Sequence, residues 1–271
     1  MNKAMARYQV ILAYDGTGFA GSQKQADSRT VQGELERALR NLGWTGRSVL
    51  MAGRTDTGVH ATGQVATFDL DWAHSADKLL WALNKHLPVD LAIRNLHPTS
   101  ADFHPRFDAT SREYRYRLFF DQIRDPLREK FLWRTWPAVD EYALKRNANI
   151  FLGKHDFAAI GSRTTPKGTT VRTVTKAEWK KMPDGEWQFE VRADAFLYRM
   201  VRRLVFVQVS VAQGKCSMEK VQHALSKQGT LLAGLAPSHG LTLVEVTYGS
   251  HDQIMKRSDE SATENILSES R

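Results

Sequence analysis

Residues 52–60 read AGRTDTGVH, a stretch that places a carboxylate, Asp56, on a turn with Gly53 before it and Gly58 after it. Arg54 stands two positions earlier. In extended chain, residues two apart point the same way, so a cation and an anion here can flank one ligand. Such a carboxylate can act as a general base or as a nucleophile. The triplet Asp56-Thr57-Gly58 also matches an aspartic protease signature. A protease needs two aspartates sharing one proton in apolar loops. This chain has one D-T-G, preceded by Arg54 and Thr55, and would have to dimerise to build the pair. The nearby arginine also favours full ionisation, which works against a shared proton. A turn aspartate that only hydrogen-bonds its own loop is the purely structural alternative.

A second pattern, Gly16-Thr17-Gly18-Phe19-Ala20-Gly21, fits GxGxxG and follows a predicted strand. A dinucleotide site needs a helix opening on those glycines, with its N-terminus on the pyrophosphate. Here the polar run SQKQADSRT follows, and no acidic residue closes a second strand about 20 positions on. The glycines read as a turn.

The elements that must position these residues follow from periodicity. Residues 8–14 alternate as a strand and end at Asp15-Gly16. Thr30 caps a helix to about Leu42 with Val31, Leu35, Ala38, Leu39 and Leu42 on one face. Short strands near 48–52 and 64–70 bracket the Asp56 loop. A helix capped by Ser75, strands at 91–96 and 112–120, and an irregular connection at 121–138 come next. The second half is predicted as a helix near 140–152, strands near 171–182 and 187–193, a helix near 195–213, a short helix from Ser217 and a strand at 241–248. This alternation predicts a mixed α/β (α+β) chain of two sub-domains, 1–120 and 139–248, with sheets side by side. The tail 249–271 has few apolar residues and is expected to be disordered.

The chain of 271 residues carries a net charge of +8, and the tail holds three cations against five acids. The body is therefore the basic part, which points to a polyanion, nucleic acid first. Between Gly161 and Pro183, six cations (Arg163, Lys167, Arg172, Lys176, Lys180, Lys181) face one acid, Glu178. This is either RNA-binding surface or a solvated edge strand. No apolar run reaches the roughly 18–20 residues of a membrane helix. The opening MNKAMARYQV lacks the apolar stretch of a signal peptide, and Cys216 is the single cysteine. Both fit a reducing, cytoplasmic location.

At full length, GRTDTGVHATGQV closely resembles the signature of the tRNA pseudouridine synthase A family. YDGTGFAGSQKQ (14–25), TVQGELERAL (30–39), NKHLP (84–88), DFHPRFDAT with REYRYR (102–117), GKHDF (153–157), ADAFLYRMVRRLV (193–205) and APSHGLTLVEVTY (236–248) extend the resemblance over most of the chain. It implies the pseudouridine synthase fold, with mainly antiparallel sheets, helices packed on them and a central cleft. The implied activity is isomerisation of uridine to pseudouridine in the anticodon arm of tRNA, with base flipping and no cofactor or metal. By the same resemblance Asp56 is the catalytic aspartate, Tyr114 the active-site tyrosine, and Arg202 the arginine that pairs with Asp56. Arg54 would fill the space of the flipped base or hold its phosphate. A homodimer with one tRNA across both subunits is implied as well. A non-catalytic tRNA-binding protein on the same fold is the main alternative. Two positions depart from the family pattern: Ser22 stands where a tryptophan is usual, and Phe206 where glycine is.

Overall fold

Three helices start on side chains suited to the purpose. Thr30, Ser75 and Asp140 accept the backbone N–H groups of Gly33, Lys78 and Ala143 at 3.2, 3.4 and 2.5 Å. Each bond satisfies a donor that the first helical turn leaves open. The computed structural model describes residues 5–163, 165, 168–227 and 229–249. Residues 250–271 of the predicted disordered tail, and Lys167 of the basic stretch, lie outside the described residues.

The elements run β1 (Ala6–Tyr14), α1 (Val31–Arg40), β2 (Leu50–Met51), β3 (His60–Leu70), α2 (Ala76–His86), β4 (Leu91–Pro98), β5 (Ala109–Phe120), β6 (Trp133–Thr135), α3 (Glu141–Ala148), β7 (Gly153–Asp156), β8 (Val171–Lys181), β9 (Trp187–Ala193), α4 (Met200–Ala212), α5 (Met218–Lys227) and β10 (Leu241–Tyr248). The ten strands among the described residues join one sheet in the order β4-β1-β3-β10-β5-β9-β8-β7, with β2 on β3 and β6 on β5. The mixed α/β class is as predicted. The halves are hydrogen-bonded into one sheet, because β10 inserts between β3 and β5. It runs parallel to β3 through Thr242–His60 and Leu243–Ala61, and antiparallel to β5. Among the described residues no helix is long and apolar enough to cross a membrane.

Two apolar cores line the sheet. One gathers Leu12 and Val10 of β1 with Val31, Leu35 and Leu39 of α1 and Leu79 and Leu83 of α2. The other gathers Tyr116 and Leu118 of β5 with Phe189, Val191, Leu204 and Val205. Each fully buried leucine contributes roughly 1.5–3 kcal/mol of transfer free energy. Tyr114 packs against both cores, which places it at the seam.

Two expected helices begin or end differently. The segment 195–199 is not helical, and α4 starts at Met200 behind Arg199, whose φ of 62° is left-handed. After α3, residues Asn149–Phe151 tighten into a 3-10 turn. The connection 121–138 contains β6, a three-residue strand too short to show periodicity.

Candidate active site

Asp56 sits on the turn between β2 and β3, closed by a hydrogen bond from Val59 N–H to the Asp56 carbonyl at 3.1 Å. Gly58 supplies the positive φ of 77° that the turn needs. The segment carrying the GxGxxG pattern is the bed of this loop. A Cβ on Gly16 would lie 2.0 Å from the Val59 carbonyl oxygen, and one on Gly21 would lie 2.8 Å from that of Thr55. These glycines thus let two backbones touch, which is a packing role.

Ser22 then grips the residue before Asp56. Its N–H donates to the Thr55 carbonyl at 3.0 Å, and its Oγ accepts the Thr55 N–H at 2.8 Å. Tyr14 Oη adds a 2.8 Å bond to Thr55 Oγ1. Ser22 is fully buried, so the place of the usual tryptophan holds a polar clamp rather than a gap. Gln64 holds the other side, donating to the Gly53 carbonyl at 2.9 Å.

His60 staples the end of the loop. Its Nδ1 accepts the Gly16 N–H at 3.0 Å, which leaves the proton on Nε2 to donate to the His239 carbonyl at 3.1 Å. Burial pushes the His60 pKa below the usual imidazole value, against the pull of the Asp15 carboxylate. The ring is therefore held neutral.

The second half of the chain delivers the cation. Arg202, in the first turn of α4, donates from Nη1 to Asp56 Oδ2 at 3.1 Å and from Nε to the Ala236 carbonyl at 2.8 Å. The pair is sheltered, with side-chain exposures of 14% for Arg202 and 26% for Asp56. Asp56 therefore pairs with an arginine, where a protease would need a second aspartate. Such a pair holds a carboxylate in a fixed orientation.

Tyr114 of β5 stands edge-on to Phe196, with ring centroids 5.1 Å apart. Burial first, then the neighbouring Tyr14 and the Asp56 carboxylate, raise its phenol pKa above the ordinary value, while Arg112 pulls it down. No hydrogen bond among the described residues holds its hydroxyl. Arg54 is exposed on the Asp56 loop and has no ion pair among the described residues. The four predicted site residues thus gather as Asp56 with Arg202, Tyr114 close enough to feel the carboxylate, and Arg54 on the loop's outer side.

Sequence reasoning missed Arg112, whose side chain shares a face of β5 with Tyr114. Its guanidinium donates to the carbonyls of Arg106, Asp194 and Ala109 at 2.6, 2.9 and 3.1 Å, and more weakly to that of Ala52 at 3.4 Å. It ties the strand before the Asp56 loop to β5. Its position two residues before Tyr114 was the available signal.

The basic stretch is corrected in part. Lys176 lies 2.7 Å from Glu190 and 3.3 Å from Glu113, Lys180 lies 2.8 Å from Glu190, and Lys181 lies 3.1 Å from Glu141. Burial raises the Glu190 pKa, but Lys176, Lys180 and Arg115 outweigh it and hold the carboxyl at about 2. Glu113 and Arg115 alternate with Tyr114 and Tyr116, so the ladder of Lys176, Lys180, Glu113 and Glu190 lies on the sheet face opposite the site, while Lys181 shares a face with the buried Trp179. The acids come from β5, β9 and the start of α3, outside the 161–183 window, which local charge counting could not see. Phe206 is likewise accommodated, because Gly234 leaves room where a Cβ would fall 2.0 Å from its ring.

The mixed α/β sheet thus carries one arginine-paired carboxylate beside a seam tyrosine. The sequence profile of the family described as tRNA pseudouridine synthase matches residues 10–108 and 148–249. The chain is 41% identical to a tRNA pseudouridine synthase A of Chloroflexus aurantiacus over 251 residues, covering 90% of this chain and 89% of the relative. It is 38% identical to that of Shouchella clausii, covering 90% and 94%, and 36% identical to that of Acetivibrio thermocellus, covering 90% and 100%. The chain belongs to the tRNA pseudouridine synthase family, and as such is an isomerase.

Proposed function

We propose that the protein isomerises uridine to pseudouridine in the anticodon stem-loop of tRNA, with Asp56 as the reacting carboxylate. The reaction breaks the C1′–N1 glycosidic bond, turns the uracil and joins C5 to C1′. The C5 proton leaves and N1 gains one, so nothing is oxidised or hydrolysed. Asp56 acts either by adding to the sugar or base or by taking the sugar 2′ proton. Arg202 keeps it aimed. The target nucleotide is flipped out of the helix, and its uracil stacks on Tyr114, whose hydroxyl assists proton removal from C5. Arg54 occupies the space the base vacates or holds its phosphate. The protein works as a cytoplasmic homodimer with one tRNA across both subunits.

The Asp56–Arg202 pair carries this proposal, because it joins residues 146 positions apart at the seam beside Tyr114. The test uses unmodified tRNA transcripts, with pseudouridine mapped at each uridine for the wild type and Asp56→Asn. The wild type should modify the anticodon arm and the variant should not. Modification that persists in Asp56→Asn overturns the role of Asp56, and no modification by either protein overturns the activity.

A further inference from the structure

Beside the Arg202 end of α4 lies a groove made of two adjoining hollows of about 370 and 280 Å³. Both are lined by Ala158, Ala159 and Arg203. The rest of the wall is the 160–162 segment, Tyr198, Arg199 and the extended strap from Gly229 to Leu235. No aspartate or glutamate lines either hollow.

Arg199 is the unusual residue. It is the one non-glycine with positive φ among the described residues, at 62°, a conformation that glycine adopts without steric penalty. It caps α4 with no side-chain hydrogen bond. Its guanidinium lies over the exposed Tyr198 ring at 4.7 Å and has no ion pair among the described residues. Backbone strain retained under an unpartnered cation points to a role outside the fold.

Arg203 is similar in charge. It donates to the Gly234 and Leu231 carbonyls at 2.6 and 3.4 Å, with no carboxylate partner among the described residues. Partial burial without a counter-charge lowers its pKa. Arg163 is exposed one residue beyond Ser162, whose backbone bridges to Tyr198 in both directions at 3.2 and 2.9 Å. The strap continues from the groove to Ala236, the carbonyl held by Arg202. One helix end therefore turns Arg202 to Asp56 and presents Arg199 and Arg203 to the groove.

We infer that this groove binds the phosphodiester backbone of the substrate tRNA, with Arg199 and Arg203 each facing a phosphate. The inference rests on tRNA being the substrate. Lys176 and Lys180 of β8 are neutralised on the far face of the sheet and Lys181 by Glu141 of α3, so these arginines are a part of the basic body left without acids.

The test compares wild type, Arg199→Gly, Arg203→Gln and, as a far-face control, Lys180→Gln, all as full chains with an unmodified tRNA transcript. Kd is measured over a series of KCl concentrations, together with Tm, KM and kcat. Each groove variant should weaken binding about three- to ten-fold and flatten the log Kd against log salt slope by about 0.7–0.9. The larger share of the loss should fall in Kd and KM rather than in kcat. Arg199→Gly should keep or raise Tm, since glycine relieves the strain, which separates a binding loss from misfolding. Unchanged Kd and slope in Arg199→Gly overturns the inference. An equal loss in Lys180→Gln also overturns it, because the effect would then be general charge. Failure of the catalytic role reads separately, as wild type that binds tRNA without forming pseudouridine.

Discussion

Arg202 divides one guanidinium between Asp56, at 3.1 Å, and the Ala236 carbonyl, at 2.8 Å. The carboxylate and the strap leading into β10 are thus held by the same planar group. A lysine offers a single ammonium on a flexible stem and cannot keep both directed bonds. Arg202→Lys should fold normally and lose about 10²-fold in single-turnover pseudouridine formation, the scale of a small misplacement of a reacting group. A wild-type rate in that variant would remove Arg202 from the machinery.

Ser22→Ala should act through Thr55. The Thr55 N–H loses its 2.8 Å acceptor in a fully buried place, which costs about 1–3 kcal/mol. The backbone bond from Ser22 N–H to the Thr55 carbonyl remains, so the loop stays attached but loosely aimed. Tm should drop by several degrees, and kcat should fall more than KM rises. Thermal unfolding and steady-state kinetics on one tRNA check this, and wild-type values in both would sink it.

Tyr114 stays protonated through neutral pH because burial, Tyr14 and Asp56 all raise its pKa. A catalytic part for Tyr114 would therefore use its placed hydroxyl and ring rather than a phenolate. Tyr114→Phe should retain tRNA affinity within about two-fold and lose roughly 10–10²-fold in kcat, below the range of a full acid–base group. The wild-type rate should show no break from this residue between pH 6 and 9. A break near pH 8 that vanishes in Tyr114→Phe would contradict this account.

His60 and His239 both have pKa values lowered by burial. As pH falls, the unfolded chain takes up protons at the ordinary imidazole value, near 6.5, before the folded one does. Their contribution to stability is therefore present above that value and lost as pH falls below it. Tm should decline between about pH 7 and 5. His60→Asn should be less stable at pH 8 but show a flatter decline, with His239 supplying the remaining slope. A Tm independent of pH across that range would exclude the neutral staple.

Much of this was legible from spacing. The loop glycines, Thr30 and Ser75 as caps and the alternation of Tyr114, Tyr116 and Leu118 are local signals, and each led to the right element. What escaped was set by partners distant in sequence. The insertion of β10 beside β3 depends on pairing between residues such as Thr242 and His60, which no local pattern encodes. Glu190 and Glu113 neutralise Lys176 only through sheet register. Ser22 looked like a missing indole until Thr55 came beside it. The GxGxxG pattern was correctly a turn, but its purpose is visible only with Val59 against Gly16.

The placement of β10 also makes the two halves share the last described strand. Leu241 of this strand joins one apolar core and Leu243 and Val246 join the other, and β10 is the strand that bridges β3 and β5. Asp56 and Arg202 belong to opposite sides of that bridge. The Asp56–Arg202 pair therefore spans a seam whose two sides are joined in the sheet by the last strand among the described residues.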